Sequence, residues 1–477
     1  MSEGLLWTGL DLIKPLDARV TKLPRGVTGV SIDTRTIEPG DLFFAIKGEN
    51  SDGHAYVETA FAKGAAAAVV DEAHADRLKS FGPLYVVQDV LAAMERLGIA
   101  ARKRSGAMIV AITGSVGKTS TKEALRLALS RTGVTHASAA SYNNHLGVPL
   151  TLCRMPANAE FGVFEIGMIH AEESRPLVAM VRPHVALITY MAPVHLDNRG
   201  SIVAIADAKG EIFSGLEPGG IAILPRETEH YDRLAELAGQ SRGGGILSFG
   251  ETDAADAQMI DFSPQADGSI VSADIMGVSV RYRIGAPGRH LATNSLAVLL
   301  AARAVGADIA EAARAMAEFS APKGRGEQVA LHMRGGDATL IDESYNANPV
   351  SMRAALRLLA DAPKDSVFGQ RVAILGDMLE LGPEAADLHA GLASFIAELP
   401  IDVVHAAGPL MRHLYDALPE EKKGVYGRRS EDIAETLLAS VAAGDVVMVK
   451  GSNGSRMGPI VAALKERYAT APDELVS

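Results

Sequence analysis

The apolar positions of this chain change rhythm twice along its length. Residues 1 to about 104 carry short extended runs, "VSIDTR", "DLFFAIKG" and "AAAAVV", separated by turn residues and ending in the basic stretch "ARKRSGA". They predict a small α/β domain and a linker. From Met108 longer apolar runs, "MIVAIT", "GVFEIG", "VALITY" and "GIAILP", alternate with helical segments, as buried parallel strands require. A doubly wound sheet is predicted there. A polar, alternating stretch at about 246–284, including "SIVSADIMGVSVRYRIG", predicts a small antiparallel insertion or edge. After "PKGRGE" a second series begins, with strands "ATLID", "RVAILGD", "DVVHAAG" and "DVVMVKG" and a helical pattern over 351–360. The predicted fold class is therefore α/β in three domains. These are a small N-terminal α/β domain at 1–104, a central P-loop parallel sheet at 105–320 and a C-terminal Rossmann-like domain at 321–477.

Composition narrows the picture. At 477 residues the chain exceeds what one core fills, roughly 250 to 300 residues, which agrees with several domains. The net charge of -12 is spread without acidic or basic blocks, which argues against nucleic acid as a partner. The start, "MSEGLLWTGLDLI", lacks the basic n-region of a signal peptide. No apolar run approaches the roughly 18 to 20 residues that span a bilayer, so a cytoplasmic protein without membrane insertion is expected. No long apolar heptad seam is present, and a monomer is expected. The single cysteine, Cys153, reads as a small buried hydrophobe.

The stretch "AITGSVGKTS", residues 111–120, ends as a phosphate-binding loop does. Met108 to Ile112 reads as a strand, and Ala124, Leu125, Ala128 and Leu129 mark one face of a following helix. Gly114 and Gly117 thus fall between strand and helix, where backbone N–H groups and the positive helix end face an anion. Lys118 adds a point charge and Thr119 a hydroxyl suited to Mg²⁺, with Ser115 and Ser120 completing the loop. Ile112 stands where the commoner form of the loop has its first glycine. A shorter variant is expected; a capped glycine turn is the alternative.

Three further side chains suggest a metal. Glu165 ends the strand "GVFEIG", at the edge where ligands of open parallel sheets gather, although a solvated strand end would read the same. His195 follows the next strand and would emerge at the same edge, or serve structure alone. In 201–214, Ile202, Ile205 and Ile212 share a stripe with Lys209, while Asp207 and Glu211 are placed on the opposite face. A lysine on a buried stripe either pairs or snorkels, or reacts as the neutral amine with CO₂ to a carbamate able to hold a second Mg²⁺.

Together the motifs resemble the Mur ligase family over nearly the whole chain. They comprise "SIDTRTIEPGDLFFAIKGENSDGH", "TGSVGKTS", "NNHLGVPLTL", "FEIGM", "VHLDNRGS", "ADAKGEIF", "DESYNANPVSM", "ILGDMLELG" and "MVKGS". The resemblance implies an ATP-dependent peptide ligase of cytoplasmic peptidoglycan precursor synthesis. ATP would phosphorylate the carboxylate of UDP-N-acetylmuramoyl-tripeptide, and the amine of D-Ala-D-Ala would displace phosphate. It implies that Lys118 and Thr119 meet ATP phosphates and Mg²⁺, that Glu165 and His195 hold metal and that Lys209 is carbamylated. It further implies that Asn294 meets adenine, and that Arg325, Asp342, Tyr345 and Asn346 lie near ribose, base or phosphates. Ser31, Asp33, Thr34, Arg35 and Lys47 would line the uridine-nucleotide pocket, and Asn143 and Asn144 would lie near the acyl phosphate. Two positions depart from the family pattern: Ile169 replaces an asparagine after "E-x-G-M", and Asn198-Arg199 replaces an aromatic pair or Phe-Gly. Another ligase of the superfamily and a non-catalytic ATP switch are the rival readings.

Overall fold

Three parallel-rich sheets follow one another along the chain, in a computed structural model that describes residues 4–49, 51–139, 141–167, 173–191, 202–265, 267–364 and 368–468. The first sheet has five strands in the order Arg19–Val20, Leu84–Val87, Ala67–Asp71, Asp41–Phe44 and Gly29–Ser31. Asp41–Phe44 and Leu84–Val87 are buried at every position, the pattern of strands covered on both faces.

The basic stretch predicted as a linker is instead the last turn of a helix, Val90–Arg104. Cations there meet the free carbonyls and negative end of the helix. Arg102 and Arg104 are also turned inward: Arg102 Nε donates to Val181 O at 2.7 Å, and the Arg104 guanidinium lies 3.2 Å above the Trp7 ring. Arg104 Nη2 also donates to Met155 O at 3.2 Å, so both arginines tie the first domain to the second. The short helix Gly147–Cys153 does the same from the other side, placing Leu150 and Cys153 in the core around Trp7 and Leu12. Cys153 is fully buried, as the sequence predicts, and burial pushes its thiol far up.

The second sheet has nine strands. Its parallel heart is Ile221–Pro225, Val185–Ile188, Met108–Thr113, Phe161–Glu165 and Thr135–Ala137 in that order. The alternating stretch at 246–284 becomes the antiparallel strands Ala257–Gln265, Gly268–Ile275 and Val278–Ile284, which extend one edge of this sheet. Register sets the chemistry: Glu165 stands beside Ile112, and Ile188 beside Thr113, so three strands end at one rim. The helix Lys118–Ser130 leaves that rim and buries Ala124, Leu125, Ala128 and Leu129 against the sheet.

The third sheet runs Glu327–Met333, Gly336–Glu343, Val446–Lys450, Arg371–Gly376, Val403–Ala407 and Lys423–Gly427. Pairing is parallel except between the first two strands. The predicted helix at 351–360 spans Pro349–Asp361, and Asn348 starts it with a capping box closed by Ser351. No described helix is long and apolar enough to cross a membrane.

Candidate functional site

The rim of the middle sheet assembles most of the residues singled out in the sequence. Gly114 has φ +151° and Gly117 φ +84°, backbone conformations that side-chain-bearing residues avoid. Contacts demand glycine as well: a Cβ on Gly114 would run into the Thr189 hydroxyl, and one on Gly117 would lie 2.6 Å from Asn294 Nδ2. Thr189 fixes the loop from beneath by donating its hydroxyl to Val116 O at 2.6 Å. Ser115 N donates to Tyr190 O at 2.8 Å, on the neighbouring strand's exit. Lys118 opens the helix, and its Nζ curls back over the loop to Gly114 O at 2.7 Å. Ile112, five residues before Gly117, lies inside the strand Met108–Thr113, so the first glycine of the loop is Gly114.

Thr119 and Glu165 meet beneath this loop. Thr119 Oγ1 donates to Glu165 Oε2 at 2.8 Å, and Asn143 Nδ2 donates to Glu165 Oε1 at 2.7 Å. Glu165 is only 1% exposed, and among the described residues no ion pair involves it. Neutral donors thus hold a buried carboxylate, which retains lone pairs for a cation. Asn144 turns away from Glu165; its side-chain oxygen accepts from the amides of Leu146 and Gly147 and steadies the next helix. Lys209 is 5% exposed on the helix Ile202–Gly210, on the buried stripe the sequence predicts, and Asp207 on its other side pairs with Arg233. Glu211 departs from that prediction. The helix tightens to 3-10 over Glu211–Gly215, which shifts the phase, and Glu211 turns inward to accept from Ser174 Oγ at 2.5 Å. His195, Ile169, Asn198 and Arg199 lie outside the described residues.

The third domain reaches the same rim through its first residues. Arg325 Nη2 donates to Ser141 Oγ at 3.1 Å, and its guanidinium stacks 4.1 Å over the Tyr345 ring. Asp342 holds this entry in shape: its carboxylate accepts from Gly324 N at 3.1 Å and from Ser344 Oγ at 2.6 Å. A cavity of about 130 Å³ separates the loop from the third domain, lined by Ser115, Asn346, Asn348, Glu380, Ser452 and Asn453. Glu380 stands in it with φ +63°, a conformation that functional loops tolerate more than others.

The predicted nucleotide-pocket residues gather apart from the loop, at the end of Gly29–Ser31. Ser31 Oγ donates to Asp33 O at 3.0 Å, Lys63 Nζ caps Thr34 O at 2.7 Å, and Lys47 is exposed. Arg35 forks onto Asp33, and this contact, above all, holds the Asp33 carboxyl below its ordinary range. The Arg35 side chain is 87% exposed. The pocket strand is joined to the middle domain by Arg154, whose Nε donates to Val30 O at 2.6 Å just beyond the helix Gly147–Cys153. One more cluster, Asp52, His54 and His74, has metal-like spacing, but both His54 ring nitrogens are engaged, by Asp52 at 2.6 Å and by the amide of Asp71 at 3.1 Å.

Sequence reasoning missed Ser141, Thr189 and Lys122. Lys122 is fully buried, donating to Ser138 O at 2.7 Å and pairing with Glu123. It precedes Leu125 and Leu129 at helical spacing, so the stripe argument that found Lys209 would have found it too. Ser141 and Thr189 carry no such signal, because long-range packing alone brings them to the loop.

Comparison with known proteins finds relatives along nearly the whole chain. Three family models match in succession: "Mur ligase family, catalytic domain" over 26–109, "Mur ligase middle domain" over 112–302 and "Mur ligase, glutamate ligase domain" over 324–453. The UDP-N-acetylmuramoyl-tripeptide–D-alanyl-D-alanine ligase of Rickettsia prowazekii is 31% identical over 91% of this chain and 94% of its own. The Escherichia coli enzyme of that name is 33% identical over 92% of this chain and 93% of its own. Among solved structures, MurF from Acinetobacter baumannii superposes with a TM-score of 0.82 at 28% identity, covering 96% of this chain and 99% of its own. MurF ligase from Thermotoga maritima, in complex with ADP, shares the fold at a TM-score of 0.76 and 22% identity, over 92% of this chain and 98% of its own. With relatives above 30% identity along nine-tenths of its length, the chain belongs to the Mur ligase family.

Proposed function

We propose that this protein ligates D-alanyl-D-alanine to UDP-N-acetylmuramoyl-tripeptide at the expense of ATP, giving the pentapeptide, ADP and phosphate. The observation that carries the reading is the Thr119–Glu165 pair, 2.8 Å apart and buried under a glycine loop, in a chain whose relatives bear that name. Amide formation from a carboxylate is uphill in water, so the acid must first be activated. Phosphoryl transfer asks chiefly for positioning and for neutralised charge.

The loop amides from Gly114 to Ser120, with Lys118, cradle the triphosphate, and Asn294 beside Gly117 faces the base. Arg325, Asp342, Tyr345 and Asn346 close over it from the third domain. Hard oxygen donors at a sheet rim suit Mg²⁺; Thr119, Glu165 and a carbamylated Lys209 would offer oxygens and His195 a ring nitrogen to hold it. Bound Mg²⁺ offsets the phosphate charge. Ser31, Asp33, Thr34, Arg35 and Lys47 take the UDP end of the substrate, and the peptide runs past Tyr142 toward Asn143 and Asn144. The cavity between Ser115 and Asn348 receives the acceptor dipeptide, whose amine attacks the acyl phosphate while the closed third domain excludes water. The working division into domains is 1–104, 105–320 and 321–477, and a cytoplasmic monomer is proposed.

Mass spectrometry of a reaction with ATP, D-Ala-D-Ala and UDP-tripeptide tests this. The expected product is the tripeptide plus dipeptide less one water, with one phosphate released per bond. Phosphate release that needs no acceptor, or a product carrying a single added amino acid, would overturn it in favour of a switch or of another ligase.

A further inference from the structure

One chain of hydrogen bonds joins the third domain to the buried carboxylate, through a residue to which the proposed mechanism gives no part. Arg325 Nη2 lies 3.1 Å from Ser141 Oγ, Ser141 Oγ lies 3.2 Å from Thr119 Oγ1, and Thr119 Oγ1 lies 2.8 Å from Glu165 Oε2. The two ends fix the direction of every proton in it. A guanidinium only donates and a carboxylate only accepts, so Thr119 must give its single hydroxyl proton to Glu165. Ser141, already accepting from Arg325, must then donate to Thr119. Thr119 Oγ1 is left with one lone pair, held in a defined direction.

We infer that Ser141 is a positioning residue that couples the seating of the third domain to the orientation of the Thr119 hydroxyl toward the metal of the nucleotide complex. The inference rests on the proposed ATP site and deepens it. Arg325 belongs to the entry of the third domain: Asp342 holds Gly324, and Tyr345 lies under the guanidinium. When that entry seats, the relay closes and Thr119 offers its remaining lone pair to the cation. When it lifts, Ser141 loses its donor and the Thr119 hydroxyl can rotate away. Metal affinity would therefore rise on closure, with the two domains more than two hundred residues apart in sequence at Thr119 and Arg325 acting as one unit.

The test measures binding, with the full-length protein and a non-hydrolysable ATP analogue. Free Mn²⁺ is followed by electron paramagnetic resonance in the wild type, Ser141→Ala, Ser141→Thr, Arg325→Ala and the Ser141→Ala/Arg325→Ala double variant; analogue binding is repeated in EDTA. Removing one neutral hydrogen bond from the relay should weaken Mn²⁺ about three- to tenfold in Ser141→Ala. Analogue binding in EDTA should stay as in the wild type, Ser141→Thr should restore Mn²⁺ affinity, and the double variant should lose no more than the worse single one. Wild-type Mn²⁺ affinity in Ser141→Ala, losses that multiply in the double variant, or an equal loss in EDTA would overturn the relay while leaving the ATP site standing. A wild-type protein that binds the analogue under neither condition would overturn the ATP site, and the relay with it.

Discussion

Two carboxylates in this protein are bound in opposite ways. Asp33 sits near the surface with Arg35 forked onto it, two residues away, so its charge is answered within one turn of chain. Glu165 is buried at a strand end and answered only by the neutral groups of Thr119 and Asn143. An exposed pair that is already neutral contributes little to stability by itself; what it offers is a fork whose remaining N–H groups can take a diphosphate. A buried carboxylate held by neutral donors is expensive to keep, and a cation is what would offset that cost. The first arrangement fits an anionic ligand and the second a metal. His405 supplies the control for burial without a ligand: it lies inside the third domain on Val403–Ala407, its Nδ1 accepting from Val425 N at 3.0 Å, away from the rim.

The largest effect should come from Glu165→Gln. The amide matches the carboxylate in shape, but its nitrogen must replace an acceptor facing either Thr119 or Asn143, and the charge is removed as well. We expect kcat/KM for ligation to fall by about 100-fold or more, the scale of one electrostatic group in a transition state, with the melting temperature preserved. Turnover within about threefold of the wild type would break the contrast with Asp33.

His405→Gln should act on stability alone. Burial lowers the His405 pKa from 6.5 to about 4. Between those values the unfolded chain binds a proton that the folded one refuses, so stability is full above pH 6.5 and is lost as pH falls toward 4. At pH 5 the loss from this residue is about 2 kcal/mol. Denaturant unfolding at pH 7 and pH 5 should give a smaller pH difference in His405→Gln than in the wild type. Equal differences would remove His405 from the acid sensitivity.

Arg35→Ala should give the smallest change. KM for the UDP-tripeptide should rise about tenfold, the worth of one charge-assisted contact, with kcat and the KM for ATP unmoved. A matching rise in the KM for ATP would merge the two regions that the geometry keeps apart.

Much of this architecture is legible in the sequence where the signal is local. The loop announces itself because Gly114, Gly117, Lys118 and Thr119 are neighbours between a strand and a helix, and Lys209 because a charge interrupts a stripe of isoleucines. Local patterns mislead where the backbone changes phase or a charged group finds a long-range partner. Glu211 turns inward because the helix tightens at that residue, and "ARKRSGA" is a helix end rather than a linker because Arg104 packs on Trp7 within the first domain while Arg102 and Arg104 reach Val181 O and Met155 O across the domain boundary. Ser141 leaves no trace at all in the sequence: it stands 22 residues from Thr119 and 184 from Arg325, and only the folded sheets bring the three together.

The most direct measurement is a crystal structure with Mn²⁺ and a non-hydrolysable ATP analogue, read by anomalous scattering. An anomalous peak within about 2.5 Å of the Thr119 hydroxyl and next to Glu165, with phosphates along Gly114 to Lys118, is the predicted result. Nucleotide bound away from that rim, or metal sites that leave Thr119 and Glu165 without a ligand, would contradict the account.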